Sequence, residues 1–478
     1  MTKREKIIDW FSANRGFAIL FAFLLLFLAI VRSVPYFLHG PFGFGYDTGI
    51  YKKSFEDIKN FSDIFRSQVY LFPSFLAYLM NVLHIPMGFL LYGVHIFMSI
   101  FIAIPLYLLT KQYFGRHAGV LAVALFTVSY VQVFASEFYL FKAVMGAVFM
   151  LYAFLYFTRK SNLFYLFAGL LALTQLPQLV LLVFGIAVAS LVDWKKNLKF
   201  NLIGFWVVIC ALLLIFVLAP QQITEGWDVV MARLSGKISF DAHQAGLFMP
   251  FREFFVREFL LVIFGVLGVA FSVRRKEVLP LIAALIFVSS VVIGKVFFEN
   301  RFVMEMELLL TPFAAFMIVK TFGKIFVRKY MKIVSVILIV FFVSIYTLFY
   351  VSTTYPALTR NEVTAVKILQ DKHDIPYVFV TNTTYAPWMY GFSGKEVLAP
   401  GIFNSVWNFG EFLAYQQSSK VEKTQKLLNL ARKYGPYYYF EGERQESDNL
   451  TGSSPFIVEI LQLGKARLFT VSNPDLQH

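Results

Sequence analysis

Apolar residues run along this chain in long blocks, separated by short polar loops rich in Lys and Arg. About eleven blocks fall near residues 17–37, 86–109, 118–136, 140–158, 162–176, 178–193, 200–219, 258–273, 278–296, 302–320 and 331–351. An α-helix needs about 20 apolar residues to cross a bilayer. The pattern therefore predicts an α-helical polytopic membrane protein with about 11 transmembrane helices. The first block follows Lys3, Arg4, Lys6 and Arg15, as a signal peptide would. It is too long for the apolar region of one, and more spans follow, so it reads as a retained helix.

The basic loops set the orientation. Lys and Arg collect on the cytoplasmic side of membrane proteins. With the N-terminus inside, five loops agree: Lys111/Arg116, Arg159/Lys160, Lys195/Lys196/Lys199, Arg274/Arg275/Lys276 and Lys324/Arg328/Lys329/Lys332. Three segments then lie outside: 38–85, 220–257 and everything after about 352. The expected organisation is a transmembrane domain over 1–351 and an extracytoplasmic domain over 352–478.

Within the first outer loop, Tyr51, Phe55, Ile58, Phe61 and Phe65 recur at helical spacing between charged residues. That pattern predicts an amphipathic helix lying in the membrane interface. "VYLFPSFLAYLMNVLHI" is apolar but short and contains Pro73, which reads as a second interfacial or re-entrant helix. In the tail, "RNEVTAVKILQDKH" and "SKVEKTQKLLNLARKYG" have helical periodicity, while "IPYVFVTN", "PYYYFEG" and "GKARLFTVS" are strand-like. Alternation of this kind predicts an α/β domain with some parallel pairing, closed by the last run.

Composition supports this reading. The chain has 478 residues, 58% hydrophobic and 15% charged, against about 25% charged in soluble proteins. So few charges cannot cover a soluble surface. The net charge of +14 sits in the short loops, where it orients the chain; no nucleic-acid module stands out. A single cysteine, Cys210, excludes an intramolecular disulfide and a cysteine-based metal site.

Candidate chemistry lies at the predicted outer ends of the spans. "GYDTGIY" places Asp47 just after the first block, between Tyr46 and Tyr51, which offer flat walls with polar tips. Read alone, Asp47 before Thr48 is a helix N-cap; a carboxylate beside flexible glycines also suits base chemistry or a divalent metal. Arg32, Lys142, Lys295, Glu299 and Arg301 are ionisable groups at membrane depth that the inner loops do not explain. Such groups snorkel to the headgroups or face a polar cavity. The cations suit a lipid phosphate, Arg best of all because its planar fork binds two oxygens. Glu137 is either a second acid or metal ligand, or an ion-pair partner of Lys142. His84 and His95 read as core residues. Trp388, Tyr390 and Trp407 read as core or docking aromatics before acceptor platforms, and Asn60, Asn382 and Asn449 open N-x-S/T triplets.

One first helix, an outer loop opening on Asp47, the segments "YLLTKQYFGRHAGVLAVALF", "SEFYLFK" and "ENRF", and a tail carrying "YAPWMYGFSGKEVLAPG" together resemble the GT-C superfamily of integral-membrane glycosyltransferases. That group includes protein O-mannosyltransferases, oligosaccharyltransferase catalytic subunits and lipid A aminoarabinose transferases. The resemblance covers most of the chain as architecture and short motifs. It implies a sugar donor on a polyprenyl phosphate or diphosphate, a lipid, glycan or protein acceptor outside the cytoplasmic membrane, and inversion at the anomeric carbon. It matches Asp47 to the loop acid, Glu137 to a second acid, and Arg32 and Arg301 to basic residues that hold lipid phosphate. No paired acid stands beside Asp47 and no "WWD"-type motif occurs. This argues against protein N-glycosylation and leaves a divalent metal admitted but not required. A lipid or solute transporter and a non-catalytic envelope-assembly protein are the alternatives.

Overall fold

A computed structural model describes residues 15–39, 44–67, 71–192, 194–218, 248–295, 299–322, 345, 349, 356–399, 407, 409–443, 448 and 450–476. Nearly all of the expected span at 331–351, most of the outer loop 220–257, Asn449, Lys3, Arg4, Lys6 and the basic residues of loop 324–332 lie outside them. The chain forms two compact units, one of residues 1–38 and 58–354, the other of residues 39–57 and 355–478. The start of the first predicted outer loop therefore folds with the tail.

The first unit is helical. Among the described residues, four helices are long and apolar enough to cross a membrane: Ile19–Leu38, Phe89–Phe114, Phe141–Thr158 and Lys276–Ile293. Two bent pairs raise the number to six, Arg116–Val128 with Tyr130–Glu137 (52°) and Phe251–Arg257 with Phe259–Ser272 (92°). Apolar helices also run over Leu163–Ala172 and Leu176–Val192. Val303–Phe322 is apolar apart from Glu305, Glu307 and Lys320. The expected blocks from 17–37 to 302–320 thus correspond to helices, several of them shorter or more broken than a simple apolar run suggests, and a count of eleven spans is not reached among the described residues.

The core of this unit is built on Phe141–Thr158 and the first half of Val303–Phe322, which are buried on nearly every side. A helix apolar all round belongs in an interior. Large exposed apolar side chains such as Leu191, Val217 and Leu260 lie on flanking helices, as expected where lipid is the solvent. Phe259–Ser272 packs on Val303–Phe322 so closely that a methyl group at Gly268 would stand 2.1 Å from the Phe313 carbonyl oxygen. Small residues let membrane helices approach in this way.

The second unit has a five-stranded sheet in the order β2-β1-β3-β5-β4, with β1 Tyr377–Val380, β2 Glu396–Ala399, β3 Tyr437–Glu441, β4 Ile457–Leu463 and β5 Ala466–Val471. Strands β1, β2 and β3 are parallel, and β5 and β4 add antiparallel. The parallel α/β half is as expected. The last run does not close the sheet as an edge: β5 lies inside it, and the edge is β4, whose alternating exposure marks a strand open on one face. Helices Arg360–Asp371 and Lys420–Tyr434 start with capping boxes, Thr359 with Glu362 and Ser419 with Glu422. Their apolar faces join a core that includes Val366, Leu369, Leu427, Leu430 and the side chains of β1 and β3. Trp388 is fully buried in this core, and Tyr390 and Trp407 pack against it, which makes Trp388 a structural residue.

Candidate functional site

Asp47 sits in the turn that starts the helix Thr48–Glu56. Its side chain makes no capping hydrogen bond, and its backbone is αR, at φ −82°. A capping aspartate would normally be extended and accept an N–H of the first turn. Here Thr48 Oγ1 donates back to the Phe44 carbonyl at 2.7 Å, and the Asp47 carbonyl accepts from Tyr51 N. Asp47 is nevertheless 8% exposed. Its carboxylate is thus held close to the protein without serving the helix that follows.

The helix itself differs from its expected role. It ends at Glu56, and a separate 3-10 helix covers Phe61–Arg66. Tyr51 and Phe55 are buried, because this face of Thr48–Glu56 packs on the tail turn Ala386–Ser393. Of the stripe read as lying in a membrane interface, Tyr51, Phe55 and Ile58 are covered by protein, whereas Phe61 is 54% exposed. Tyr51 stacks obliquely on Phe55 at 5.7 Å, and Tyr46 remains half-buried beside Asp47.

In the membrane unit, Arg32 and Glu137 enter one neighbourhood. The helix carrying Arg32 packs against Tyr130–Glu137 through Val31 and Val133. Arg32 is 2% exposed. Its guanidinium donates to the Phe126 carbonyl at 3.4 Å and lies 5.5 Å from the centre of the Phe126 ring. One turn on, Tyr36 meets Tyr92 edge-on at 5.8 Å, and Glu137 lies within electrostatic reach of Tyr36. His95 lies within such reach of Arg32, and its Nε2 pairs with the Ser136 carbonyl at 2.9 Å. The buried His95 ring packs against Tyr139 and Phe141, which also stack on each other, the core role expected of it, whereas His84 is exposed and is no core residue.

A second polar group surrounds the start of Val303–Phe322. Arg301 is half-buried and acts electrostatically on Glu305. Glu305 accepts from Gln178 Nε2, which also donates to the Ala143 carbonyl next to Lys142. Glu307, fully buried, accepts from Gln132 Nε2 and Thr311 Oγ1. Glu258, at the 92° bend, accepts from Tyr130 N at 2.7 Å, at the break of the other pair. The break between Val128 and Tyr130 thus leaves a backbone donor that a side chain at the other break satisfies. Lys295 is exposed, in a left-handed backbone conformation at φ 49°.

Compared with solved structures, the chain is similar to archaeal oligosaccharyltransferase AglB from Archaeoglobus fulgidus in complex with an inhibitory peptide and a dolichol-phosphate. The TM-score is 0.64 at 12% identity, over 90% of this chain and 70% of that one. It is also similar to ArnT from Cupriavidus metallidurans bound to undecaprenyl phosphate, with TM-score 0.59 and 11% identity over 96% of this chain and 98% of that one. The fold is that of the GT-C membrane glycosyltransferases. No protein-family model and no curated protein sequence matches the chain.

Within this GT-C fold, sequence reasoning missed Gln132, Gln178, Glu258, Glu305 and Glu307. The signal was present for the last two: acids inside the apolar run "VMEMELLLTPFAAF" need partners wherever they are buried. Among the described residues, no three of His, Cys, Asp and Glu gather as a metal site would need. The membrane unit also has an apolar groove of about 740 Å³ between Leu176–Val192 and Trp194–Leu218. It carries no ionisable group and so offers shape without chemistry.

Proposed function

We propose that the chain transfers a sugar from a polyprenyl-phosphate-linked donor to an envelope acceptor at the extracytoplasmic membrane surface, with inversion. Asp47 is the base. The acceptor hydroxyl oxygen attacks the anomeric carbon, its proton passes to the Asp47 carboxylate, and the bond from that carbon to the phosphate oxygen breaks. The electron pair leaves with the lipid phosphate, whose developing charge a cation stabilises; Arg32, Lys142, Lys295 and Arg301 are the residues that the sequence offers for that role. Glu137 is the second acid, in the neighbourhood of Tyr36. The polyprenyl chain stays in the bilayer, which is why a catalytic carboxylate belongs at its rim.

The observation that carries this reading is the state of Asp47: a carboxylate at the start of a helix, 8% exposed, that does not cap it. The GT-C fold supports the reaction class, and lipid phosphates bound to the two similar proteins support the donor class. The test uses purified full-length protein with radiolabelled polyprenyl-phosphate sugars and envelope extracts as acceptors. Wild type should transfer label, and Asp47→Asn should insert and melt like wild type yet lose at least about a hundredfold in rate. Wild-type turnover in Asp47→Asn overturns the role. Solute or lipid flux in proteoliposomes without any sugar transfer would favour a transporter instead.

A further inference from the structure

The helix after Asp47 meets the tail by direct backbone contact. A methyl group on Gly49 would stand 1.8 Å from the Pro387 carbonyl oxygen, and one on Gly391 would stand 2.1 Å from the Gly49 carbonyl oxygen. No side chain fits at either place. Three residues on, Lys52 Nζ donates to the Gly391 carbonyl at 2.9 Å and to Glu56 at 2.7 Å. The same ammonium stands 4.9 Å from the centre of the Phe392 ring, which stacks on the buried Trp388 at 4.8 Å. The contact is therefore short-range, locked by a charge, and anchored in the core of the α/β domain. It lies two to five residues from Asp47 along a single helix, so any shift of the turn is passed to the carboxylate with little loss.

We propose that the tail turn Ala386–Ser393 is the positioning element for Asp47, and that Lys52 is its lock. This rests on the reading of Asp47 as the base. The α/β domain then governs the reaction through the place of one carboxylate, whether or not it touches the acceptor. A displacement of about 1 Å at a reacting group can cost a hundredfold in rate.

The experiment uses the full-length protein in nanodiscs. Lys52→Met should lower kcat by at least about tenfold while leaving the donor KM within about twofold. Lys52→Arg should recover most of the rate, because a guanidinium can still donate to the Gly391 carbonyl and face Phe392. A lock that only stabilised the fold would lower the melting temperature without splitting kcat from KM. A second readout needs no activity. In a Cys210→Ser background carrying Asp47→Cys, adding Lys52→Met or Gly391→Ala should change the rate of maleimide labelling by at least about fivefold, since the local opening or placement of that turn changes. Unchanged labelling overturns the proposal. If wild type transfers no sugar but labelling responds as stated, the glycosyltransferase reading fails and the positioning claim stands. Should Gly391→Ala not fold, the Lys52 pair, on a side chain that is 18% exposed, still decides.

Discussion

Gln178 donates one side-chain amide to Glu305 and to the Ala143 carbonyl, both at 2.8 Å, and so ties three helices at one buried point. Both side chains are almost fully buried. Removing only the amide leaves a buried carboxylate without its donor. Gln178→Leu should therefore destabilise the detergent-solubilised protein by about 1–3 kcal/mol. The double change Gln178→Leu/Glu305→Leu should recover much of that loss, since two apolar groups leave nothing unsatisfied. Thermal melts of the four proteins of this cycle check it. A double variant worse than the sum of the singles would contradict the account.

Arg32 offers a test of donor binding that leaves the base alone. Its guanidinium lies in the Tyr36–His95–Glu137 neighbourhood. Arg32→Gln should raise the KM for the lipid-phosphate donor by about tenfold or more, and Arg32→Lys should fall between, because an ammonium keeps the charge but loses the planar fork. Steady-state kinetics over a donor series supply the comparison. Equal effects on charged and uncharged lipid analogues would count against a phosphate contact.

Glu362 is the hub of the tail. Its side chain is fully buried and accepts from Thr359 N, Tyr385 O–H and Glu443 N, at 2.6, 2.6 and 2.8 Å. One carboxylate thus starts a helix and joins it to two other segments of the domain. Glu362→Ala should cost about 3–5 kcal/mol, the upper range for leaving several buried donors unmatched. Proteolysis should then attack residues 356–476 first, which mass spectrometry can locate.

Alkali should loosen the same domain. Tyr437 is buried in β3, with its hydroxyl donating to the Leu427 carbonyl at 2.9 Å. Burial pushes its phenol well above the usual range, and Tyr439 and Tyr415 are pushed the same way, again chiefly by burial. In each case the fold favours the neutral form. The stability this represents is fully present below the unfolded phenol value of about 10 and is lost as pH rises above it toward the folded value. Tyr437→Phe should lose about 1 kcal/mol at neutral pH, with its hydrogen bond. It should also fall less steeply between about pH 10 and 11.5. Denaturant midpoints across that range, followed by tyrosinate absorbance, measure both slopes.

Much of the architecture was legible because its causes are local. A run of apolar residues fixes a helix without knowledge of its neighbours, and the capping residues Thr359 and Ser419 mark helix starts within the tail. The site was legible only in part. Asp47 was visible as an acid in an unusual place, yet only the fold tells a cap from another role, since both need the same letter before the same helix. The interfacial reading of Tyr51 and Phe55 failed because periodicity reports that a face is apolar and not what covers it. What covers it is a turn more than 300 residues away in sequence. Gln132 and Gln178 were illegible for a related reason: an uncharged amide in an apolar helix acquires meaning from the carboxylate it meets.

The union of residues 39–57 with 355–478 also bears on how this chain is made. At roughly 5–20 residues per second of synthesis, the helix Thr48–Glu56 emerges on the order of 15–60 s before the turn that will cover it. Through that interval Tyr51 and Phe55 have no final partner, and a chain truncated ahead of residue 386 never acquires one. Nonsense and frameshift products of this protein should therefore be recognised by quality-control proteases at their beginning, far from the lesion that created them.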